Sequence, residues 1–276
     1  MRRLWMALLV VMALSVSPWL MRDGYMAVRS VAAESARLSV SGDRSVASAH
    51  FLVLYPPGET KDARLILGLL NRAYPIETKN LAVHPNGPLT VIVYPTLSAL
   101  ARSAGLPADA NDIGLYDAGT MRLAAPQSWI QGHGWQTTFA EDGPVSHELG
   151  HALLDVAADG NFPAWFNEGV AQYEDRLVTG YVWTTGTNGL SGHLYSMAAL
   201  SGGFYALPNQ GLAYREGLSL VSYLVQRGGM TRFDRFIHEL GNGGPPFDTV
   251  LQHVYGLTPR SLFNAWRAGL PEQQAG

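Results

Sequence analysis

Pro144-Val145-Ser146-His147-Glu148-Leu149-Gly150-His151-Ala152-Leu153-Leu154-Asp155, followed closely by Pro163-Ala164-Trp165-Phe166-Asn167-Glu168-Gly169-Val170-Ala171-Gln172-Tyr173, is the stretch on which the fold of this 276-residue chain turns. Apolar residues interleave with polar ones at helical spacing in the first segment, as a half-buried helix requires. Asp142 is placed to cap that helix, Pro144 suits its first turn, and Asp159-Gly160-Asn161 reads as its stop. Residues four apart on a helix share a face, so His147 and His151 can point their imidazoles at one ion. Zn²⁺ accepts such a pair, and a catalytic site adds a third protein ligand while keeping one position open for water. Glu168, on the next predicted helix, is the carboxylate that completes the set. Glu148, adjacent to His147 and offset from both histidines, suits a general base facing the water and not a fourth ligand. The expectation is one zinc per chain at His147, His151 and Glu168, against the plainer reading of a surface helix with two solvated histidines.

Other zinc classes fail on the residues. The longer motif with a third histidine needs Gly and His where this chain has Leu154 and Ala157. A cysteine-based structural site is excluded because the chain contains no cysteine.

The two segments resemble the gluzincin branch of zinc metallopeptidases, specifically the bacterial peptidase MA-like domains, whose pattern runs H-E-L-x-H-A-L, a short linker, then P-x-W-x-x-E-G-x-A-x-Y. Flanking stretches are similar as well: His50 to Gly58 and Leu89 to Thr96 match the family's first two strands. Tyr214 to Leu224 matches the helix after the site, and Tyr255 to Trp266 its closing segment. The resemblance spans about residues 48–270 and is strongest at 144–175. It implies zinc ligands at His147, His151 and Glu168 and a catalytic base at Glu148. It further implies an α+β, zincin-like fold: a small mixed sheet with helices, then a mostly helical lobe, with the active-site helix between them. In such folds a sheet edge strand holds the substrate backbone, and the resemblance assigns Asp117 to Ala124 to it. A tyrosine or histidine donor also helps the oxyanion; Tyr214 is the candidate the resemblance favours, with His193 and then His133 behind it. Asp155, one turn beyond His151, is either a partner for a metal-bound imidazole or an exposed helix-end acid.

A hydrophobic content of 47% supports a sizeable core, and the length suits one large domain or two lobes. The formal net charge of −3, with no Lys/Arg cluster in the body, argues against a nucleic-acid partner. Arg2-Arg3 ahead of the uncharged run Leu4 to Leu20 has the form of an export signal, and the run is just long enough for an uncleaved membrane anchor. Cuts after Ser17 or near Val31-Ala32-Ala33 both fit small-residue rules imperfectly. The expected organisation is therefore 1–33 signal or anchor, 34–47 linker, 48–270 peptidase domain and 271–276 tail, with the domain outside the cytoplasm. The runs at 51–55, 89–94 and 119–124 read as strands, 60–73 and 96–104 as helices, and the Gly-rich 184–192 as a loop at the cleft rim or elsewhere on the surface. Three functions share these residues: an exported zinc metallopeptidase acting on peptide or protein, a silent zincin-like domain that binds peptide or cell-envelope material, and a zinc hydrolase of a non-peptide amide. The presence of all four chemical residues favours the enzymes.

Overall fold

A computed structural model describes residues 18–40 and 42–270. In chain order its elements are α1 (Pro18–Ser39), β1 (Arg44–Ala47), β2 (Phe51–Tyr55), α2 (Thr60–Asn80), β3 (Leu89–Tyr94), α3 (Leu97–Ser103), β4 (Gly114–Asp117), β5 (Thr120–Ala124), α4 (Trp135–Asp142), α5 (Val145–Ala158), α6 (Ala164–Thr179), α7 (Met197–Gly202), α8 (Gln210–Leu240), α9 (Phe247–Tyr255) and α10 (Pro259–Ala268), with short 3₁₀ turns at Pro126–Ser128 and Phe204–Ala206.

The run Leu89-Thr90-Val91-Ile92-Val93-Tyr94 is buried along its whole length, as a central parallel strand must be. β3 pairs in parallel with β2 through Val53↔Val91 and with β5 through Val91↔Met121. Antiparallel strands close the two edges, in the order β1-β2-β3-β5-β4. Alternation sorts the side chains: Val91, Val93, Met121 and Leu123 enter the main core with α2 and α5, while Ile92, Tyr94 and Ala124 meet Ala36 of α1 and Leu100 of α3. Both faces of the sheet are thereby covered. The α+β architecture with a helical second lobe is as the sequence led one to expect.

Residues 34–47, read as a linker, are instead the end of α1 and strand β1, which pairs with β2 through Val46↔Val53. The composition is rich in Ala, Ser and Arg and shows no period, because α1 docks through scattered contacts: Ala36 in the smaller core and Arg37 hydrogen-bonded to Thr90 Oγ1. Most of the Leu4 to Leu20 run lies outside the described residues; its last three residues begin α1. Among the described residues no helix is long and apolar enough to cross a membrane.

The helical lobe is built on aromatic rings, with Phe166 of α6 edge-on to Phe236 and Phe247 at centroid distances of 5.5 and 5.2 Å. α8 breaks at Gly229 (φ 72°, ψ 166°), a conformation open to glycine, which turns its second half back onto this cluster. The helices carrying the site pack backbone to backbone. A Cβ on Gly169 would lie 2.4 Å from the Gly217 carbonyl oxygen, and one on Gly150 would lie 2.9 Å from Ala171 Cα. Glycine at these places lets α5, α6 and α8 approach closely enough to bring their polar side chains to one point.

Candidate metal centre and active-site cleft

α5 starts at Val145, with Pro144 at its N-cap and no side chain capping it; Asp142, assigned as the cap, instead ends α4, whose Phe139 is anchored in the core. Asp159 (φ 53°) and then Gly160 (φ 73°) stop the helix, as the sequence suggested. Leu149, Ala152, Leu153 and Leu154 are wholly buried, so the polar residues threaded between them each need a partner. Ser146 donates to Glu77 Oε1 at 2.7 Å. Asp155 takes Tyr25, Tyr116 and Arg29.

His147 and His151 bring their Nε2 atoms to 3.0 Å of each other, and Glu168 Oε2 from α6 lies 3.3 and 3.5 Å from them. A tetrahedral zinc with bonds of about 2.0–2.1 Å holds its ligand atoms about 3.3 Å apart. The three expected ligands therefore sit at the separations the ion needs, and they are the one His/Asp/Glu triad among the described residues that does so. Glu168 Oε2 and Glu148 Oε2 are buried and without a hydrogen-bond partner, which a cation beside the one and a water beside the other would supply. The donor set, two imidazoles and a carboxylate, fits zinc.

The same groups are coupled electrostatically. Burial pushes against charge on His151, yet Glu168, together with Glu148 and Asn167, raises the imidazole to about 9. Burial likewise opposes charge on Glu168, but His151 and His147 hold its carboxyl well below the usual range. Glu148 moves the other way: burial raises it, against the pull of the two imidazoles, bringing it closer to the range of a working base.

Two neighbours complete the shell. His151 Nδ1 is 2.8 Å from Asn167 Oδ1, and the Tyr205 hydroxyl donates to Glu168 Oε1 at 2.7 Å while most of its ring stays exposed. Sequence reasoning missed both. Asn167 is adjacent to Glu168, so its proximity was available as a signal; Tyr205 arrives from a 3₁₀ turn 37 residues away and carried none. Asp155 fits neither reading offered for it, being 2% exposed and committed to α1 and β4.

The cleft over these groups has a volume of about 870 Å³ and is walled by Gly114, Leu115 and Tyr116 on one side and Trp183, Tyr205 and Tyr214 on the other. The strand at its lip is β4, Gly114–Asp117, so the assignment of Asp117 to Ala124 was one strand too late: β5 is fully buried between β3 and β4. Gly114 comes so near the metal helix that a Cβ there would stand 2.8 Å from Glu148 Oε1. Tyr214, in the second turn of α8, does line the cleft, stacked edge-on against Trp183, and its hydroxyl has no hydrogen-bond partner among the described residues. Burial and then Glu168 push its phenol far above the usual range, so it stays a donor. His193 and His133 are exposed and do not line the cleft. None of the 184–192 loop lines the cleft, which is reached instead by the preceding Tyr181 to Trp183; Asn188 folds the loop onto itself through the Trp183 carbonyl and the Thr185 amide. A second cavity of about 850 Å³, beside Trp165, Phe247 and Phe263, contains none of the metal-binding groups.

Comparison with solved structures finds this fold in aminopeptidase A of Legionella pneumophila, in complex with aspartic acid, at 13% identity and a TM-score of 0.52, over 81% of this chain and 28% of that one. An M1 zinc metallopeptidase from Deinococcus radiodurans aligns at 16% identity and a TM-score of 0.43, over 83% of this chain and 52% of that one. The chain thus spans well under two thirds of either protein. No curated protein matches it. The model of the Peptidase MA superfamily matches residues 117–272, more than half of the chain and all three candidate ligands, and the chain belongs to that superfamily.

Proposed function

We propose that the protein is a zinc-dependent peptidase that hydrolyses peptide bonds with a water activated by Glu148. The observation that carries this reading is the convergence of His147 Nε2, His151 Nε2 and Glu168 Oε2 at 3.0–3.5 Å, with the unpartnered Glu148 carboxylate beside them in an open cleft. When bound, zinc supplies the Lewis acidity that polarises the scissile carbonyl and acidifies water. Glu148 takes the proton of the attacking water and passes it to the leaving amine. Tyr214 donates its hydroxyl to the developing oxyanion. β4, with one side paired to β5 and the other lining the cleft, holds the substrate backbone as an added strand. The form of Arg2-Arg3 ahead of the Leu4 to Leu20 run supports a location outside the cytoplasm, as a cleaved or anchored protein.

Two variants test the core of this reading. His147→Ala should lose zinc by elemental analysis, and undiminished zinc would remove the metal assignment. Glu148→Gln should keep zinc while cleavage of a peptide library falls by several orders of magnitude, since metal binding needs no carboxylate at that place. A wild-type protein that binds zinc but leaves every peptide intact would point to the silent or non-peptide alternatives.

A further inference from the structure

α1 reaches into the cleft's supporting structure. Its Tyr25 hydroxyl donates to Asp155 Oδ1 and its Arg29 Nε pairs with Asp155 Oδ2 at 2.8 Å. Tyr116 of β4 donates to the same Oδ2, and Arg29 Nη2 donates to the Tyr116 oxygen at 3.3 Å. Asp155 follows His147 and His151 at four-residue intervals down α5, so this knot ties three elements together one turn below a metal ligand. The seat is closely fitted. A Cβ on Gly160 would lie 2.8 Å from the Tyr25 ring, and one on Gly119, in the β4–β5 turn, 3.2 Å from Arg29 Cγ. Asp155 is 2% exposed, so a buried carboxylate with its partners removed leaves a charge uncompensated.

We propose that Tyr25 and Arg29 are positioning residues for the substrate edge: through Asp155 they hold Tyr116, and with it β4, at a set distance from the metal helix. The inference rests on the reading above that β4 carries the substrate. β4 has only four residues and a single hydrogen-bonded neighbour, so its place over the metal depends on such a side-chain anchor. It follows that a functional protein keeps α1, and that a cut near Val31-Ala32-Ala33 would remove both anchors.

The test compares two inhibitors on the zinc-loaded full chain: acetohydroxamate, which needs only the metal, and a tripeptidyl hydroxamate, which also needs β4. In Arg29→Gln the tripeptidyl compound should weaken about tenfold, the effect of one charge-assisted hydrogen bond. Acetohydroxamate affinity and zinc content should hold, amide hydrogen exchange at 114–117 should quicken, and Arg29→Lys should recover part of the loss. Equal weakening of both inhibitors, or of neither, would overturn the proposal. Should Arg29→Gln fail to fold, Tyr25→Phe, which deletes one hydroxyl, is read by the same ratio and the same exchange. If the wild type itself prefers acetohydroxamate, the reading of β4 as substrate edge fails, whereas a wild type that shows the preference and a variant that keeps it sinks only the role of α1.

Discussion

Asn167 Oδ1 stands 2.8 Å from His151 Nδ1. An amide oxygen can only accept, so it sets the imidazole tautomer, leaving Nε2 bare toward His147 and Glu168. Asn167→Leu is expected to weaken zinc affinity about ten- to a hundredfold, as loss of such a partner does elsewhere. Asn167→Asp should keep most of it. A chelator competition titration measures both, and equal affinity in all three proteins would separate Asn167 from the metal.

The two cleft tyrosines should part company. The Tyr205 hydroxyl donates to the candidate ligand Glu168, whereas the Tyr214 hydroxyl has no hydrogen-bond partner among the described residues, so the two should act at different steps. Tyr214→Phe is expected to lower kcat and kcat/KM together by about ten- to a thousandfold with zinc retained, because its bond forms in the transition state. Tyr205→Phe should instead speed zinc loss to a chelator. Steady-state kinetics beside a zinc release assay on both variants gives the comparison; normal turnover in Tyr214→Phe would leave the oxyanion without its donor.

Gly169 is a test of how the site is assembled. With the Gly217 carbonyl oxygen 2.4 Å from where its Cβ would stand, Gly169→Ala must push α6 away from α8. Overpacking of this kind costs about 1–3 kcal/mol. Urea unfolding should show a loss of that size together with weaker zinc binding, since Glu168 is the neighbouring residue. A stable variant with a normal site would mean that the helices yield easily there.

Stability should fall as pH rises from acid toward about 8. Burial, against the hydrogen bond from Asn80, raises Glu174 from 4.5 to about 8, and Glu77 is raised in the same way by burial and by Glu174. These carboxyls bind their protons more tightly folded than unfolded. The contribution of Glu174 is full below about pH 4.5 and is lost as pH rises through about 8, and that of Glu77 runs in the same direction. In that window each pH unit removes on the order of 1 kcal/mol through Glu174. Glu174→Gln should flatten the slope of unfolding free energy between pH 5 and 8, and an unchanged slope would assign it to other groups.

The local code of the metal helix was legible without coordinates. Four-residue spacing alone puts His147 and His151 on one face, and the apolar residues between them say which way the helix is turned. The strand at 89–94 was equally plain from its run of β-branched and apolar residues, although its parallel pairing was not. The partners that act across the fold were not legible. Tyr205, Tyr25, Arg29 and the edge strand Gly114–Asp117 meet their targets over 37 to 130 residues of chain, and no period links them. The end of α1 was taken for linker because its contacts are a few polar side chains and small alanines, not an apolar stripe. Asp155 looked like a surface acid because its neighbours along the chain are those of a helix end, and only the packing of α1 and β4 over it decided that it is buried. Sequence by itself determined the candidate ligands, because their spacing is written within one helix and the start of the next; tertiary structure alone decided what brings them together, holds and aims them, because those contacts join segments that only packing brings together.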